Sequence, residues 1–496
     1  MRRPRHASTL VSQALNVPDP ADQPSPAGDS VECPPPSRFG FMFPELQIKE
    51  ALLPESYETV KALVKLGKTM VDANPLDKTF DTKIPSIYTY FGQFIVHDMT
   101  FDPKSATRLF EEDLPLMKPL PIEQINALEN PRSGLLDLDS VYGPILENDK
   151  CLEVPVREDG SLRVEIAADG NVPGTDLPRG NMPPFKARIG DPRNDENLLL
   201  SQLHLSFLRA HNVIVKAGAS YEAARDLLRR RYQQLVIKDY LPKFVAEEDL
   251  HWAEKAQIFN PPANEYFTPV EFSAAAFRFG HALIRSQYQY NGLRRVVRLR
   301  ELFTMKVLSE YHHILTDWLV DWTGFVSEEG NVARNLAPRL VEPLGEFLAS
   351  NITVPVNGGP PKRPILSLAV IDLLRGYMFR LPTGQFVAKR IGVEPMSAAQ
   401  IEAVAAAVSD EQVKALQEAG FSKHTPLWYY ILAEAAHHGG GSRLGPVGGR
   451  LLASVLYEAE RRSRDEHFVE DGWDPILGEK NGFNVAELLN HAAIQS

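Results

Sequence analysis

Apolar side chains along this chain recur at helical spacing, while strand-like runs are short and isolated. Between Leu53 and Val71, Val60, Leu63, Val64 and Met70 share one side and predict a first helix. The stretch from Tyr88 to Asp102 predicts a second, with Tyr90, Phe91, Phe94, Ile95 and Met99 around it and the acidic turn Asp98 to Asp102 near its end. Asp191 as N-cap and Pro192 as first helical residue open a third. Leu198, Leu199, Leu200, Leu203, Phe207 and Leu208 carry it toward Val215, and Gly218 stops it. Thr268-Pro269-Val270-Glu271 has the form of a capping box ahead of a helix from Phe272 to Arg285. Further helices are predicted around Val307–Leu319, Leu340–Leu348, Leu366–Met378, Ser397–Ala407 and Asp410–Ala419, and Arg443–Arg450 opens another. Residues 144–190 are expected to be surface loops with a small hairpin near Leu162–Ile166. The pattern predicts a mainly α fold, a single large domain with few short strands. Residues 1–45, rich in Pro, Ser and Asp, are set apart as a poorly ordered or wrapped-on arm, and 46–496 as the domain.

Composition narrows the function classes. The chain has 496 residues, 44% hydrophobic and 24% charged, an ordinary globular mixture. Its net charge of −11 argues against a nucleic-acid partner or an anionic membrane surface. No run approaches the roughly 18 apolar residues of a membrane span. The basic start Met1–His6 lacks the long apolar core of a secretory signal, so a cytoplasmic or non-classically exported protein is expected. Two cysteines, Cys33 and Cys151, are too few for a disulfide framework.

Four stretches carry candidate chemistry. Gln93 and His97 are four residues apart and share a helical face among apolar and aromatic neighbours, a setting for work on a small polar molecule. Asp98 points elsewhere and offers oxygen to a hard cation. Ser133, Leu135, Asp137 and Asp139 alternate, so in an extended loop their side-chain and carbonyl oxygens converge, which suits Ca²⁺. Arg193, Glu196 and Asn197 face one way in the turns that open the third helix. Arg278 and His281 lie at i and i+3 on a helix with small neighbours, and a helical histidine facing a cavity suits axial haem ligation. Each has a plainer reading, as a core histidine, an Asp-x-Asp turn or a solvated helix start. His204 and His211 are assigned to packing.

The order of these stretches changes the weighing. Gly-Gln-Phe-x-x-His-Asp at 92–98, Gly-Asp-x-Arg-x-x-Glu at 190–196 and Phe-Arg-x-Gly-His-x-Leu-Ile at 277–284 together resemble the animal-type haem peroxidases of the peroxidase–cyclooxygenase superfamily. The Asp-x-x-x-Val-Tyr-Gly ending at 137–143 is similar to that family's calcium loop, which closes on the aspartate after the distal histidine, here Asp98. The motifs span about residues 85 to 475, and Arg443–Arg450 resembles the closing segment of bacterial members. The resemblance implies a haem b cofactor held by His281 as iron ligand, with Arg278 on a propionate, and Ca²⁺ held by Asp98, Ser133, Leu135, Asp137 and Asp139. It implies Gln385, at the Asn position of a Leu-Pro-x-x-Asn pattern, as the partner of the proximal histidine. It also implies that Glu196 can form one ester link to a haem methyl, since Val96 and Asn197 remove the other two known attachment points.

The implied activity is peroxidase: H₂O₂ or an organic hydroperoxide is reduced while small-molecule electron donors are oxidised. His97 takes a proton from the peroxide and returns it to the departing oxygen, Arg193 stabilises the charge that develops, and Gln93 orients the peroxide or a water. Two alternatives compete. A fatty-acid dioxygenase of the same superfamily needs a radical-forming tyrosine three residues before the proximal histidine, where this chain has Arg278. A non-haem metal hydrolase built on His97 and Asp98, or a non-catalytic scaffold, leaves the Arg193 and His281 motifs unexplained.

Overall fold

The helical spacing of the sequence becomes a set of helices packed around the one that carries His97. The computed structural model describes residues 30–102, 117–147, 150–165, 174–180, 185–262, 265–304, 314–341, 354–356, 359–362, 367–463 and 483–493. These are mainly helical with few short strands, as the pattern predicts. The His97 helix spans Ile87–Met99 and is buried on nearly every side. Its Phe94 stacks on Phe207 of the Leu198–Lys216 helix with ring centroids 4.5 Å apart. Phe91 meets Tyr232 and Tyr240 edge-on. Tyr240 comes from a helix, Tyr221–Gln234, that widens into a π-helical turn over Leu235–Tyr240. Gly92 is required at this crossing, because a Cβ there would run into the Tyr240 hydroxyl. Thr100 ends the His97 helix by donating both its amide and its hydroxyl to the Val96 carbonyl.

Two helix starts differ from the sequence reading. Asp191 caps only a single tight turn, Pro192–Asp195, whereas the long helix takes Asn197 as its N-cap. Asn197 has extended backbone, and its Oδ1 accepts from the Leu200 amide at 2.9 Å. The capping box at Thr268 does not form. Thr268–Pro269 lies as a strand beside Phe39–Gly40. The buried Glu271 carboxylate accepts instead from the amides of Met42 and Phe43, at 2.9 and 3.2 Å. Unpaired strand-like backbone needs partners from elsewhere in the chain, and local sequence does not reveal them. The helix Val270–Ala274 then breaks at Ala275 into tight turns over Ala276–Leu283 that carry His281.

The described part of the N-terminal arm is bound into the body. Ser37–Gly40 is the middle strand between Glu129–Asn130 and Thr268–Pro269, and Phe39, Phe41, Met42 and Phe43 are core residues. Ser30–Val31 pairs with Lys150–Leu152, itself hairpinned to Ile145–Glu147. Cys33 and Cys151 form a disulfide at this sheet. Two cysteines therefore do staple the fold, across a sequence separation of 118, a link that a count of cysteines does not disclose.

The remaining helices follow the predicted periodicity. Tyr57–Thr69 packs against Leu368–Met378, and Ala398–Ala406 carries a full capping box from Ser397 and Gln400. Asp410–Glu418, Leu427–Gly439 and Pro446–Ser463 complete this side. The expected helices at Val307–Leu319 and Leu340–Leu348 lie mostly outside the described residues. Only a short turn, Thr316–Trp318, is described in the first, and Leu340 in the second bridges to Val71. Among the described residues no helix is long and apolar enough to cross a membrane.

The bridge between Cys33 and Cys151 closes a long loop and so restricts the unfolded chain. Cys33→Ser is expected to lower unfolding stability by about 2–4 kcal/mol, read as a shift of the denaturant midpoint against the oxidised wild type.

Candidate active site

His97 sits on the last turn of its helix, buried, with Nδ1 2.9 Å from Asn194 Oδ1. The next links run from Asn194 Nδ2 to His204 Nδ1 at 3.0 Å. His204 thus joins the site through Asn194 while its ring also packs beside Phe94. His211 is engaged at both ring nitrogens, by the Tyr142 hydroxyl and the Gly160 carbonyl, in keeping with a packing role. Burial, together with the neighbouring Arg193 cation, lowers the His97 pKa to about 3, so the imidazole is neutral at ordinary pH.

Arg193 is fixed from several sides. Its Nε and Nη2 fork onto Asp191 at 3.0 and 2.7 Å, and Nη2 also donates to the carbonyls of His97 and Thr100. The guanidinium lies over the Phe101 ring. Nη1 is used by none of these bonds. Asp191 is fully buried and also receives Arg132, whose Nη2 is 2.9 Å from its Oδ2. Burial would raise the Asp191 carboxyl, but Arg193 and Arg132 outweigh it and hold the pKa well below the usual carboxylate range. Gln93 is half-buried on the same helix as His97, with Oε1 3.4 Å from Asn197 Nδ2. Glu196 follows the Arg193 turn and is half-buried.

The acidic loop folds over Asp98. Asp98 Oδ1 accepts from the Ser140 amide and hydroxyl, both at 2.9 Å, and Oδ2 accepts from the Leu138 amide at 3.1 Å. Asp139 Oδ2 accepts from the Ser133 amide, and the Ser133 hydroxyl accepts from the Leu135 amide. Asp137 Oδ1 is buried without a hydrogen-bond partner. Burial, then the nearby Asp137 and Asp139, pushes the Asp98 carboxyl up, and burial with Asp139 pushes Asp137 up. Among the described residues no group of three or more His, Cys, Asp and Glu side chains has the geometry to hold a metal ion. Both Asp98 oxygens are taken by the loop's own donors.

His281 departs from expectation in its partner. Its Nδ1 is 2.5 Å from Oδ2 of Asp372, on the Leu368–Met378 helix. Gln385 does not supply this contact. Its amide is locked to Thr425, donating to the hydroxyl at 2.7 Å and accepting from the backbone amide at 2.9 Å. The physical reason is the chain path, since Thr383–Gln385 starts a helix that packs on Leu427–Gly439 while Asp372 comes from the helix before it. Arg278 places Nη1 3.4 Å from Asp372 Oδ1 and Nε 2.9 Å from the Ser273 carbonyl. Arg375 Nη1 is 3.6 Å from the same Asp372 oxygen. Burial, with Arg375 beside it, lowers the Arg278 pKa to about 9.

Sequence reasoning thus missed Asn194, Asp372 and Arg375. Asp372 carried a usable signal: a lone acid inside Leu368-Ala369-Val370-Ile371-Asp372-Leu373-Leu374 is a buried charge in search of a partner. Asn194 lay inside the Arg193 motif, at a position the motif leaves open.

Comparisons with known proteins bear on the family of the chain. The profile described as animal haem peroxidase matches residues 110–484. Thyroid peroxidase of Mus musculus is 30% identical over 190 residues, 33% of this chain and 20% of the relative. Peroxidasin of Drosophila melanogaster is 24% identical over 374 residues, 69% of this chain and 23% of the relative. This chain therefore spans only about a fifth of the length of these curated relatives. Among solved structures, peroxidase A from Dictyostelium discoideum aligns with a TM-score of 0.57 at 15% identity, covering 86% of each chain. Fatty acid alpha-dioxygenase from Oryza sativa aligns with a TM-score of 0.54 at 15% identity, covering 88% of this chain and 76% of its own. At such identities these two structures speak for a shared fold, and the family match, which extends over well more than half of the chain, carries the conclusion that the chain belongs to the animal haem peroxidase family.

Proposed function

We propose that the chain is a haem-dependent peroxidase that reduces H₂O₂ or an organic hydroperoxide and oxidises small donors. The observation that carries this reading is the pairing of a neutral, buried His97 with the Arg193 cation. A neutral imidazole takes the proton of a peroxide, and the adjacent cation disfavours keeping it, so the proton passes on to the departing oxygen. Arg193, immobilised on Asp191, keeps Nη1 for the developing charge without reorganising. Gln93 orients the peroxide or a water. The alternative fatty-acid chemistry calls for a tyrosine where this chain has Arg278.

The residues present fit a haem. With Nδ1 committed to Asp372, His281 has Nε2 as its one nitrogen for iron. Arg278 is the cation at hand for a propionate. Haem, when bound, supplies the redox-active iron at which the O–O bond is cleaved. Glu196 would be the residue for an ester, since Val96 and Asn197 stand at the other attachment points. For Ca²⁺, the partnerless Asp137 Oδ1 and the mutual repulsion of Asp98, Asp137 and Asp139 support a cation in the loop, with Ser133 and Leu135 as further oxygen donors.

Purified with haem, the protein is expected to show a Soret band that changes with H₂O₂ and donors, without oxygen uptake on fatty acid. His97→Ala should slow the reaction with H₂O₂ by about 10²- to 10⁴-fold while the haem spectrum persists. A full rate in that variant would remove His97 from the chemistry.

Metal analysis of protein purified without chelator should find about one calcium per chain, lost in Asp137→Asn. Full haem occupancy and activity after calcium is stripped by EGTA would count against the loop site.

After peroxide treatment, a fraction of haem should resist acid–acetone extraction in wild type and none in Glu196→Gln. Complete extraction from the wild type would leave His281 and packing as the only attachments.

A further inference from the structure

The partner of His281 is a carboxylate, and the proposed peroxide chemistry makes no use of that fact. Asp372 is fully buried in the middle of an apolar helix face, where an unpaired charge is costly. Its two oxygens divide their partners. Oδ2 faces His281 Nδ1 at 2.5 Å, while Oδ1 faces Arg278 Nη1 at 3.4 Å and Arg375 Nη1 at 3.6 Å. Two guanidiniums stand at one oxygen as its counter-ions. The other oxygen is left to polarise a single N–H. Trp428 steadies the arrangement from its far side by donating Nε1–H to the Arg278 carbonyl at 3.2 Å.

An amide at this place would accept the same hydrogen bond without a charge. A carboxylate does more. A ligating histidine whose other N–H donates to a carboxylate becomes a more basic ligand, because negative charge is shared along the ring toward the metal. From this geometry we infer that Asp372 is a positioning residue for the haem: it holds His281 in the Nδ1–H tautomer with Nε2 toward the iron, and its charge favours ferric over ferrous haem. The inference rests on the reading of His281 as the haem ligand. A purely structural role, as counter-ion to Arg278 and Arg375, would leave the iron–histidine bond untouched.

The test is Asp372→Asn in the haem-loaded protein, which preserves shape and removes the charge. The Fe³⁺/Fe²⁺ equilibrium is expected to move toward ferrous by tenfold or more, which is about 59 mV for a one-electron couple. The Fe–His stretching frequency of the ferrous protein is expected to fall. Asp372→Glu, which restores a carboxylate, should recover much of both. Unchanged potential and stretch in an Asp372→Asn protein that still binds haem through His281 would overturn the inference and leave the peroxidase reading standing. Failure of His281→Ala to alter the haem spectrum would instead sink the ligand assignment itself. Should Asp372→Asn not fold, the wild type decides: an Fe–His stretch no higher than that of haem bound by free imidazole overturns the proposal.

Discussion

A charge inside a protein must be paired, and two buried aspartates organise this molecule by that rule. Asp191 draws Arg132 and Arg193 to itself beside His97. Asp372 draws Arg278, Arg375 and His281. Each pairing fixes a guanidinium that would otherwise sample many rotamers, and each fixes the surroundings of one histidine. Removing either aspartate would take the carboxylate from two arginines at once, a larger disturbance than losing one hydrogen bond.

The scaffold holds each of these two clusters by its own device. The His97 helix is held by aromatic rings, Phe207 stacked on it and Tyr232 and Tyr240 edge-on, so its last turn has little freedom. Asp191 reaches it from the turn before the Leu198–Lys216 helix, and Asn194, three residues on, takes His97 Nδ1. The His281 segment is anchored by a different device. Glu271 ties the start of its helix to Met42 and Phe43, which are part of a strand-bearing strap from the N-terminal region. Thus a stretch that composition marks as an arm helps to position the segment carrying His281.

Legibility of the sequence varied with how local each interaction is. Helices with strong apolar spacing, such as Tyr57–Thr69, Leu368–Met378 and Asp410–Glu418, lie close to their predicted places because their burial face repeats within the segment. The His97, Arg193 and His281 motifs were legible as motifs, since each is a short run with fixed spacing. Gln385 was misplaced because a one-dimensional pattern offered no way to tell which helix passes behind His281. The disulfide was missed for the same reason, as Cys33 and Cys151 meet only when two short strands pair.

By itself, then, the sequence determined the helical class, the helix in which His97 sits, the turn that carries Arg193 and the segment that carries His281. It did so because periodicity, capping residues and motif spacing act within a few turns of chain. Tertiary structure alone decided who partners whom: Asp372 rather than Gln385 at His281, Asn194 and His204 behind His97, and Glu271 on the strap. These are contacts between residues from 91 to 229 positions apart, with His204 ten residues beyond Asn194 as the exception. Buried polar groups accept whatever complementary group the packing of distant elements delivers to them, and that delivery is not written in any one segment.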